Sequence, residues 1–187
     1  MGGTVESFFE VVKGRRSIRR FTARVVDQET LETILEAARW SPSWANTQCW
    51  EIIVVKDPEL QVGLSKLLSP KNPATLAVAN APITLALCAE EKKSGFYKGE
   101  QSTRLGDWLM YDLGLLTQTI CLTAHSLGLG TVVVGLFDHL QVKAMLQLPD
   151  GFEVVSLLPL GYPDHAPSPP KRRELREFVH YDRFGNR

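Results

Sequence analysis

The longest helical pattern in the sequence covers residues 105–127 and is apolar on nearly every face. Its main apolar positions at helical spacing are Leu109, Leu113, Leu116, Ile120 and Leu127, joined on other faces by Leu105, Met110, Leu115 and Leu122. A helix with so little polar surface has to be buried in the centre of a domain or against a second chain. The fold must therefore be built around this helix, or bury it between subunits.

The rest of the sequence predicts four further helices and four strands. The helices are expected over residues 4–13, 57–68 and 138–148, and over a segment that begins at an Asp27 cap and ends before Pro42. The strands are expected over residues 50–55, 82–88, 131–135 and 153–160. Regular alternation of strands with single crossover helices is not evident, so the pattern predicts an α+β fold.

No internal repeat or linker divides the chain, so residues 1–187 are expected to form one domain. Two segments are expected at its surface. The polar residues 90–104, called here the polar excursion, are long enough for a mobile surface loop. The proline-rich residues 161–187 are expected to form an extended C-terminal tail.

Composition argues against several classes of partner. The chain carries 21 Lys+Arg and 21 Asp+Glu, so its zero net charge gives no reason to expect nucleic acid or an anionic membrane surface. No apolar run approaches the roughly 20 residues that span a bilayer, and residues 1–10 lack a signal-peptide pattern. Three widely spaced cysteines argue against a disulfide framework. These features predict a cytoplasmic protein with no nucleic-acid or membrane partner.

Several common cofactor motifs are missing from the sequence. Gly128 and Gly130 begin like a dinucleotide fingerprint, but they follow a helix, and Val133 stands where the third glycine would fall. The four histidines show no metal-ligand spacing with one another or with the cysteines, so no metal is expected. The sequence feature that remains to indicate a ligand is a group of side chains suited to binding an anion.

Residues 15–21 place four arginines and one serine within seven positions. Arginine presents a planar fork of donors that stays charged, which suits a phosphate. In an extended backbone Arg15, Ser17 and Arg19 alternate, so their side chains are expected on one side. A solvated basic surface is the alternative interpretation of the whole run.

Residues 41–50, called here the polar block, are dense in amide and hydroxyl donors and in aromatic rings. They lie between a predicted helix and a predicted strand, and suit the polar edge of a heteroaromatic ligand. Near the C-terminus, Lys171 and Arg173 form a second basic pair that is expected to close on the same phosphate, unless it is a solvated tail. Together these segments indicate a ligand with a phosphate and a broad aromatic body.

The order of these motifs resembles that of the FMN-dependent nitroreductases, over about residues 8–173. The matching segments are residues 15–19, residues 41–50, the turn at residues 128–131 and the basic tail at 171–173. The resemblance implies a sandwich of a mixed, mainly antiparallel sheet flanked by helices. It also implies an intimate homodimer with tightly, non-covalently bound FMN at the subunit interface. The long apolar helix would then pack against its dimer mate.

The resemblance also assigns cofactor contacts. Arg15, Ser17 and Arg19 resemble the phosphate, ribityl and flavin-pyrimidine contacts of one subunit, and Lys171 with Arg173 resembles a phosphate clamp. Arg16 belongs to the same candidate set, with ordinary surface charge as its alternative.

Further contacts are implied by the polar block and by the turn after the long helix. Pro42, Ser43 and Trp44 resemble the other subunit's contribution against the isoalloxazine, with Asn46 and Gln48 as donors near the ring. Val134 and Gly135 match the segment whose backbone approaches flavin N5. Two positions depart from the family pattern: Cys49 stands where proline is usual, and Val134 where some members carry an acidic residue.

The function implied is an oxidoreductase that uses NAD(P)H to reduce nitroaromatic, quinone or related electron-poor small molecules by ping-pong hydride transfer. No side chain is expected to be an obligatory acid–base catalyst, because the redox chemistry belongs to the flavin. Phe96, Tyr97 and Trp108 are candidates for an aromatic lid on the acceptor side, with packing at the dimer surface as the alternative. Other possibilities are a specialised flavoenzyme for enone reduction, dehalogenation or flavin modification, a non-catalytic flavin-binding protein, and an anion-binding module without flavin.

Overall fold

An antiparallel sheet forms the centre of the protein, in a computed structural model that describes residues 8–187. The strands are β1 (Trp50–Val55), β2 (Ile83–Glu90), β3 (Phe96–Tyr97), β4 (Glu100–Gln101), β5 (Gly130–Thr131) and β6 (Phe152–Gly161). The central sheet has the order β1-β2-β6-β5, and β3 and β4 form a separate hairpin. A parallel bridge from Ser17 to Thr131 extends the edge beyond β5. The predicted mixed, mainly antiparallel sheet is confirmed.

Helices cover both faces of this sheet. They are α1 (Phe8–Gly14), α2 (Gln28–Arg39), α3 (Pro58–Lys66), α4 (Thr75–Asn80), α5 (Leu109–Ser126) and α6 (His139–Met145). Alternate residues of β2 point to opposite faces, as the pleat requires. Leu85 and Leu87 therefore pack with α2 and α5, whereas Ala86 and Cys88 pack with α3, α4 and α6. The result is a three-layer α+β sandwich.

Helix α2 begins where the sequence predicts. The Asp27 carboxylate accepts a hydrogen bond from the Thr30 N–H at 2.8 Å, which satisfies one of the free donors at the helix start. Leu31, Ile34 and Ala38 are buried against the sheet and α5. The expected amphipathic face is confirmed.

Helix α5 begins at Leu109, four residues after the start that the apolar pattern suggested. The reason is local, since Gly106 has a left-handed φ of +77° and the Asp107 side chain accepts the Leu109 N–H at 2.9 Å. Leu105 thus lies before the helix and is exposed. The inner face is buried, whereas Met110 and Tyr111 are exposed in the single chain.

The helical layer formed by α3, α4 and α6 contains one helix that the sequence did not predict. Asp57 caps α3 by accepting the Glu59 N–H, as expected. Helix α4 has no side-chain cap, because Ala74 stands at its N-cap position, and it was therefore missed. Helix α6 ends at Met145, earlier than the predicted residue 148.

Three peripheral segments differ from expectation. The predicted first helix is seen as α1; residues 4–7 of the prediction lie outside the described residues. The predicted strand over residues 131–135 pairs only at β5 and at a bridge between Val134 and Leu157. The polar excursion contains the β3–β4 hairpin rather than an irregular loop. Within residues 8–187 no helix has the length and apolarity needed to cross a bilayer.

Candidate functional site

The arginine-rich segment is fixed against β5 by its backbone. The Ile18 N–H donates to the Thr131 carbonyl at 2.9 Å, and the Ile18 side chain is buried. Gly130 permits this close approach, because a Cβ at that position would lie 2.4 Å from Ile18 Cγ1. Burying Ile18 leaves Ser17 partly exposed and Arg19 exposed on either side of it.

The C-terminal tail passes beside this segment and completes a cleft of about 450 Å³. We call it the basic cleft; its lining residues are Arg15, Arg16, Ser17, Arg19, Pro167, Ser168, Pro170 and Arg172. The ion pairs among residues 8–187 join Glu36 to Arg39, Glu90 to Lys93 and Glu153 to Lys143. None of them neutralises an arginine of the cleft.

Two of the predicted basic contacts are engaged elsewhere. Arg16 directs Nη1 to the carbonyls at the end of α1, with Lys13 O at 2.5 Å. Arg173 donates to the Glu177 carbonyl and lies over the Phe178 ring, 5.6 Å from its centroid. Lys171 is exposed. Arg172, which stands between Lys171 and Arg173, is the basic residue of the tail that lines the cleft.

The polar block forms a tight turn between α2 and β1. It contains a 3-10 turn at Trp44–Asn46, and Ala45, Asn46 and Gln48 have left-handed φ values of 45°, 55° and 47°. Ser43 Oγ accepts the Gln48 N–H at 2.9 Å, and the Gln48 amide donates to Asn46 Oδ1 at 3.2 Å. The two predicted amide donors therefore lie side by side at the surface.

A carboxylate that sequence reasoning missed holds this turn in place. Asp112, on α5, is fully buried, and its Oδ1 accepts the Trp44 N–H at 3.0 Å. Its Oδ2 accepts from the Ser94 hydroxyl at 2.6 Å and from the Cys49 thiol at 3.7 Å. The signal was present in the sequence, since Asp112 is the lone acidic residue of α5 and follows directly on apolar and aromatic residues.

The thiol of Cys49 is a buried donor rather than a reactive group. Burial and the neighbouring Asp112 carboxylate raise its pKa to about 12. The thiolate is the nucleophilic form, so at neutral pH this side chain is protonated and unreactive. Cys49 thus contributes a hydrogen bond to Asp112 rather than a nucleophile.

The two halves of the predicted site lie towards opposite ends of α5 in one chain. Trp44 of the polar block contacts Asp112 in the first turn of α5, and Ser41 at the start of the block donates to Thr119 in the middle of the helix at 2.9 Å. Arg15 lines a second cavity, of about 290 Å³, with Cys121 and His125 near the last turn. Asp112 and His125 are thirteen residues apart, which is about 20 Å along a helix with a rise of about 1.5 Å per residue. The part of the polar block that begins at Trp44 thus lies away from Arg15 in one chain.

Val134 and Gly135 differ in what they can offer. Val134 is buried and exchanges both backbone hydrogen bonds with Leu157, each at 2.9 Å. Gly135 is exposed, and its carbonyl oxygen lies 3.3 Å from His139 Nε2. A ligand approaching this segment would therefore meet Gly135.

The three aromatic candidates lie on or beside the polar excursion. Phe96 and Tyr97 form β3, and the Tyr97 side chain is exposed. Trp108 donates from Nε1 to Thr103 Oγ1 at 2.8 Å and meets the Tyr111 ring edge to face at 5.3 Å. Trp108 is thus anchored, while Tyr97 is free to meet a ligand or another chain.

Two buried polar atoms have no hydrogen-bond partner within residues 8–187. They are Thr47 Oγ1 in the polar block and His165 Nδ1 in the cavity beside Arg15. Buried polar atoms are usually paired, so each marks a place that a ligand or water would satisfy. In the same residues no cluster of histidine, cysteine or carboxylate side chains has the arrangement of a metal site.

Comparison with known proteins places this geometry in a family. The model of the Nitroreductase family matches residues 12–162. An FMN reductase [NAD(P)H] of Bacillus subtilis is 32% identical over 168 residues, covering 82% of this chain and 66% of that protein. A nitroreductase family protein of Clostridium novyi NT superposes with a TM-score of 0.77 at 30% identity, over 97% of this chain and 96% of the other.

A second solved structure has the same fold. It is an FMN-dependent nitroreductase of Clostridium difficile, with a TM-score of 0.80 at 25% identity, over 94% of this chain and 99% of that one. The family match spans the arginine segment, the polar block, α5 and the central sheet. The chain belongs to the nitroreductase family.

Proposed function

We propose that the protein is an FMN-dependent oxidoreductase that takes hydride from NAD(P)H and reduces electron-poor small molecules such as nitroaromatics or quinones. The observation that carries the proposal is the basic cleft, where Arg15, Arg19 and Arg172 converge without a neutralising carboxylate among residues 8–187. Unpaired guanidinium groups in a cleft suit a phosphate. The similarity to an FMN reductase and to an FMN-dependent nitroreductase supports the choice of ligand.

The residues present fit FMN at both of its ends. Arg15, Ser17 and Arg172 would hold the phosphate and ribityl chain, with Arg19 towards the pyrimidine edge. The unpartnered Thr47 hydroxyl and the exposed amides of Asn46 and Gln48 supply polar atoms for the ring.

The separation of the two halves along α5 supports a site shared between two chains. In a two-fold dimer, if one region of the first chain contacts a different region of the second, the reverse contact is formed as well. The Arg15 end of one α5 can therefore lie beside the polar block of the partner, twice in the dimer. Exposed apolar residues of α1 and α5, Phe8, Phe9, Met110 and Tyr111, provide surface that such a dimer would cover. We propose a homodimer with one FMN in each of two such sites.

FMN held in this cleft would supply two-electron redox chemistry between a reduced nicotinamide and the acceptor. The protein's own part is to bind and orient. Arg19 would place a fixed positive charge beside the pyrimidine edge of the ring. With no separate dinucleotide-binding fingerprint in the sequence, NAD(P)H and the acceptor use one opening in turn, and turnover is ping-pong.

The visible absorption spectrum of the purified protein tests this proposal. We expect a yellow protein, or one that becomes yellow with added FMN, whose absorbance near 450 nm bleaches on anaerobic addition of NADH or NADPH. Menadione or 4-nitrobenzoate should then restore the colour. A protein that takes up no FMN would contradict the proposal. One that binds FMN but is not bleached by either nucleotide would instead be a flavin-binding protein without this activity.

A further inference from the structure

Asp112 is an unusual residue for its location. Its side chain is fully buried on α5, and its partners among the described residues are two neutral side chains and one backbone N–H. Burying a carboxylate is unfavourable unless donors compensate for the lost water, and apolar replacements of buried charges are often as stable. Its presence is therefore better explained by what it positions than by stability alone.

The donors to this carboxylate come from separate segments. Oδ1 binds the backbone N–H of Trp44, the first residue of the 3-10 turn in the polar block. Oδ2 binds the hydroxyl of Ser94, which is also fully buried and immediately precedes the β3–β4 hairpin. One carboxylate thus joins the candidate flavin-contact turn to the segment that carries Phe96 and Tyr97.

The turn requires such an anchor. Ala45 has a left-handed φ of 45°, which a side chain with a Cβ adopts only when its surroundings enforce it. The bond from Trp44 fixes the start of the turn, and the bond from Gln48 to Ser43 Oγ fixes its end. Ser41 at the start of the block donates to Thr119 of α5 at 2.9 Å, and Cys49 at its end donates to Asp112, so the Trp44 bond is the one that ties the 3-10 turn itself to the helix.

The hairpin is held at its base in a similar way. The Trp108 N–H donates to the Ser94 carbonyl at 3.1 Å, and the Lys92 N–H donates to Asp107 Oδ2 at 2.6 Å. The Ser94 hydroxyl gives this base a direct bond to the carboxylate that holds Trp44. The same carboxylate therefore holds both segments.

We propose that Asp112 is a positioning residue that sets the polar block against the flavin through Trp44 and holds the base of the acceptor-side hairpin through Ser94. This inference rests on the proposed function. Asp112 acts through Trp44 and Ser94, and contacts neither flavin nor acceptor itself. It follows that its two hydrogen bonds have separable effects: the bond from Trp44 affects FMN binding, and the bond from Ser94 affects the KM for the acceptor.

The test compares Asp112→Asn and Ser94→Ala with the wild-type protein. Asparagine keeps the shape and one acceptor but loses the charge-assisted bonds, so we expect about tenfold weaker FMN binding and an altered visible circular dichroism of bound flavin. Ser94→Ala removes only the hydrogen bond between Asp112 and the base of the hairpin. Its FMN dissociation constant should stay within about twofold, while the KM for menadione rises about threefold or more at similar kcat.

Ser65→Ala is the matched control, a buried serine of α3 in the layer on the other face of the sheet. If both test variants lower the urea midpoint as this control does but keep wild-type FMN affinity, flavin circular dichroism and KM, the positioning role is overturned. If Asp112→Asn does not fold, Ser94→Ala decides alone, and an unchanged KM overturns the proposal. Wild-type protein that binds no FMN overturns the proposed function and this role with it.

Discussion

Gly130 and Ile18 lie so close that a Cβ on the glycine would be 2.4 Å from Ile18 Cγ1. The contact joins the edge strand β5 to the backbone that presents the arginines of the basic cleft. No real Cβ tolerates that distance, and the crowding atoms are the branched, buried part of the isoleucine. The geometry of the arginine segment thus depends on the absence of one side chain.

Gly130→Ala should therefore destabilise the protein and weaken FMN binding together. Overpacking a well-packed contact costs about 1–3 kcal/mol, and relief requires the arginine segment to move away from β5. Urea unfolding and FMN titration measure the two effects. Gly63→Ala is the control, because its Cβ would meet only the flexible end of Met145 at 3.1 Å in a helix that favours alanine. Wild-type stability in Gly130→Ala would contradict the close packing.

The cysteines should be inert in the folded protein at neutral pH. All three are buried, and burial raises the pKa of Cys49 and Cys88 to about 12, with the Asp112 carboxylate adding to the effect at Cys49. A thiol-specific reagent at pH 8 should modify fewer than one thiol per native chain and three after unfolding. Rapid reaction of two or more thiols in the native state would contradict this burial.

The same shifts give stability a defined pH dependence. The folded pKa lies above the unfolded value of 9.0, so the folded state binds more protons at high pH. The contribution is complete below about pH 9 and is lost as the pH rises towards 12. The urea midpoint should fall over this range, and less steeply in a Cys49→Ala, Cys88→Ala double variant. Equal slopes in the two proteins would show that the thiols do not contribute.

Much of the fold was predictable because side chains at local positions determine it. Asp27 and Asp57 cap their helices as the sequence indicates, and the β-branched residues of β1 pair over the predicted length. The start of α5 was misplaced because apolar periodicity continues through Leu105, while a turn at Gly106 ends the preceding segment. Helix α4 lacks a capping side chain and left no signal.

The candidate site was predictable in composition but not in assembly. The arginines and the polar block could be recognised as candidate ligand-binding segments, yet the places where Arg15 and Trp44 meet α5 follow from tertiary packing. The hydrogen bonds of Asp112 to Trp44 and Ser94 join residues 68 and 18 positions apart, which no local pattern records. Arg172, rather than its neighbours, lines the cleft because of how the tail is placed over Ser17.

Arg15 and Arg19 should contribute to different parts of the cofactor. Arg15→Ala should weaken FMN binding about 10–100-fold, the equivalent of one charged hydrogen bond of about 1.5–3 kcal/mol, but change riboflavin binding little because riboflavin has no phosphate. Arg19→Ala should weaken both ligands and slow reduction of the loaded protein by NAD(P)H. Arg20→Ala is the control within the same segment, exposed and outside the cleft lining. Equal losses of FMN and riboflavin in Arg15→Ala would contradict its assignment to the phosphate.

In the proposed dimer, one flavin site is built from the arginine segment of one chain and the polar block of another. The most direct measurement is FMN stoichiometry in a mixed dimer, purified with two different tags, that joins an Arg15→Ala, Arg19→Ala chain to a Ser43→Ala, Trp44→Ala chain. If each site is shared, the altered arginine segment of the first chain meets the altered polar block of the second chain in one site, which then carries all four substitutions. The other site combines the two unaltered segments and stays intact. We predict about one tightly bound FMN per mixed dimer, and none in either parent dimer. A mixed dimer that binds no FMN tightly would contradict the shared site.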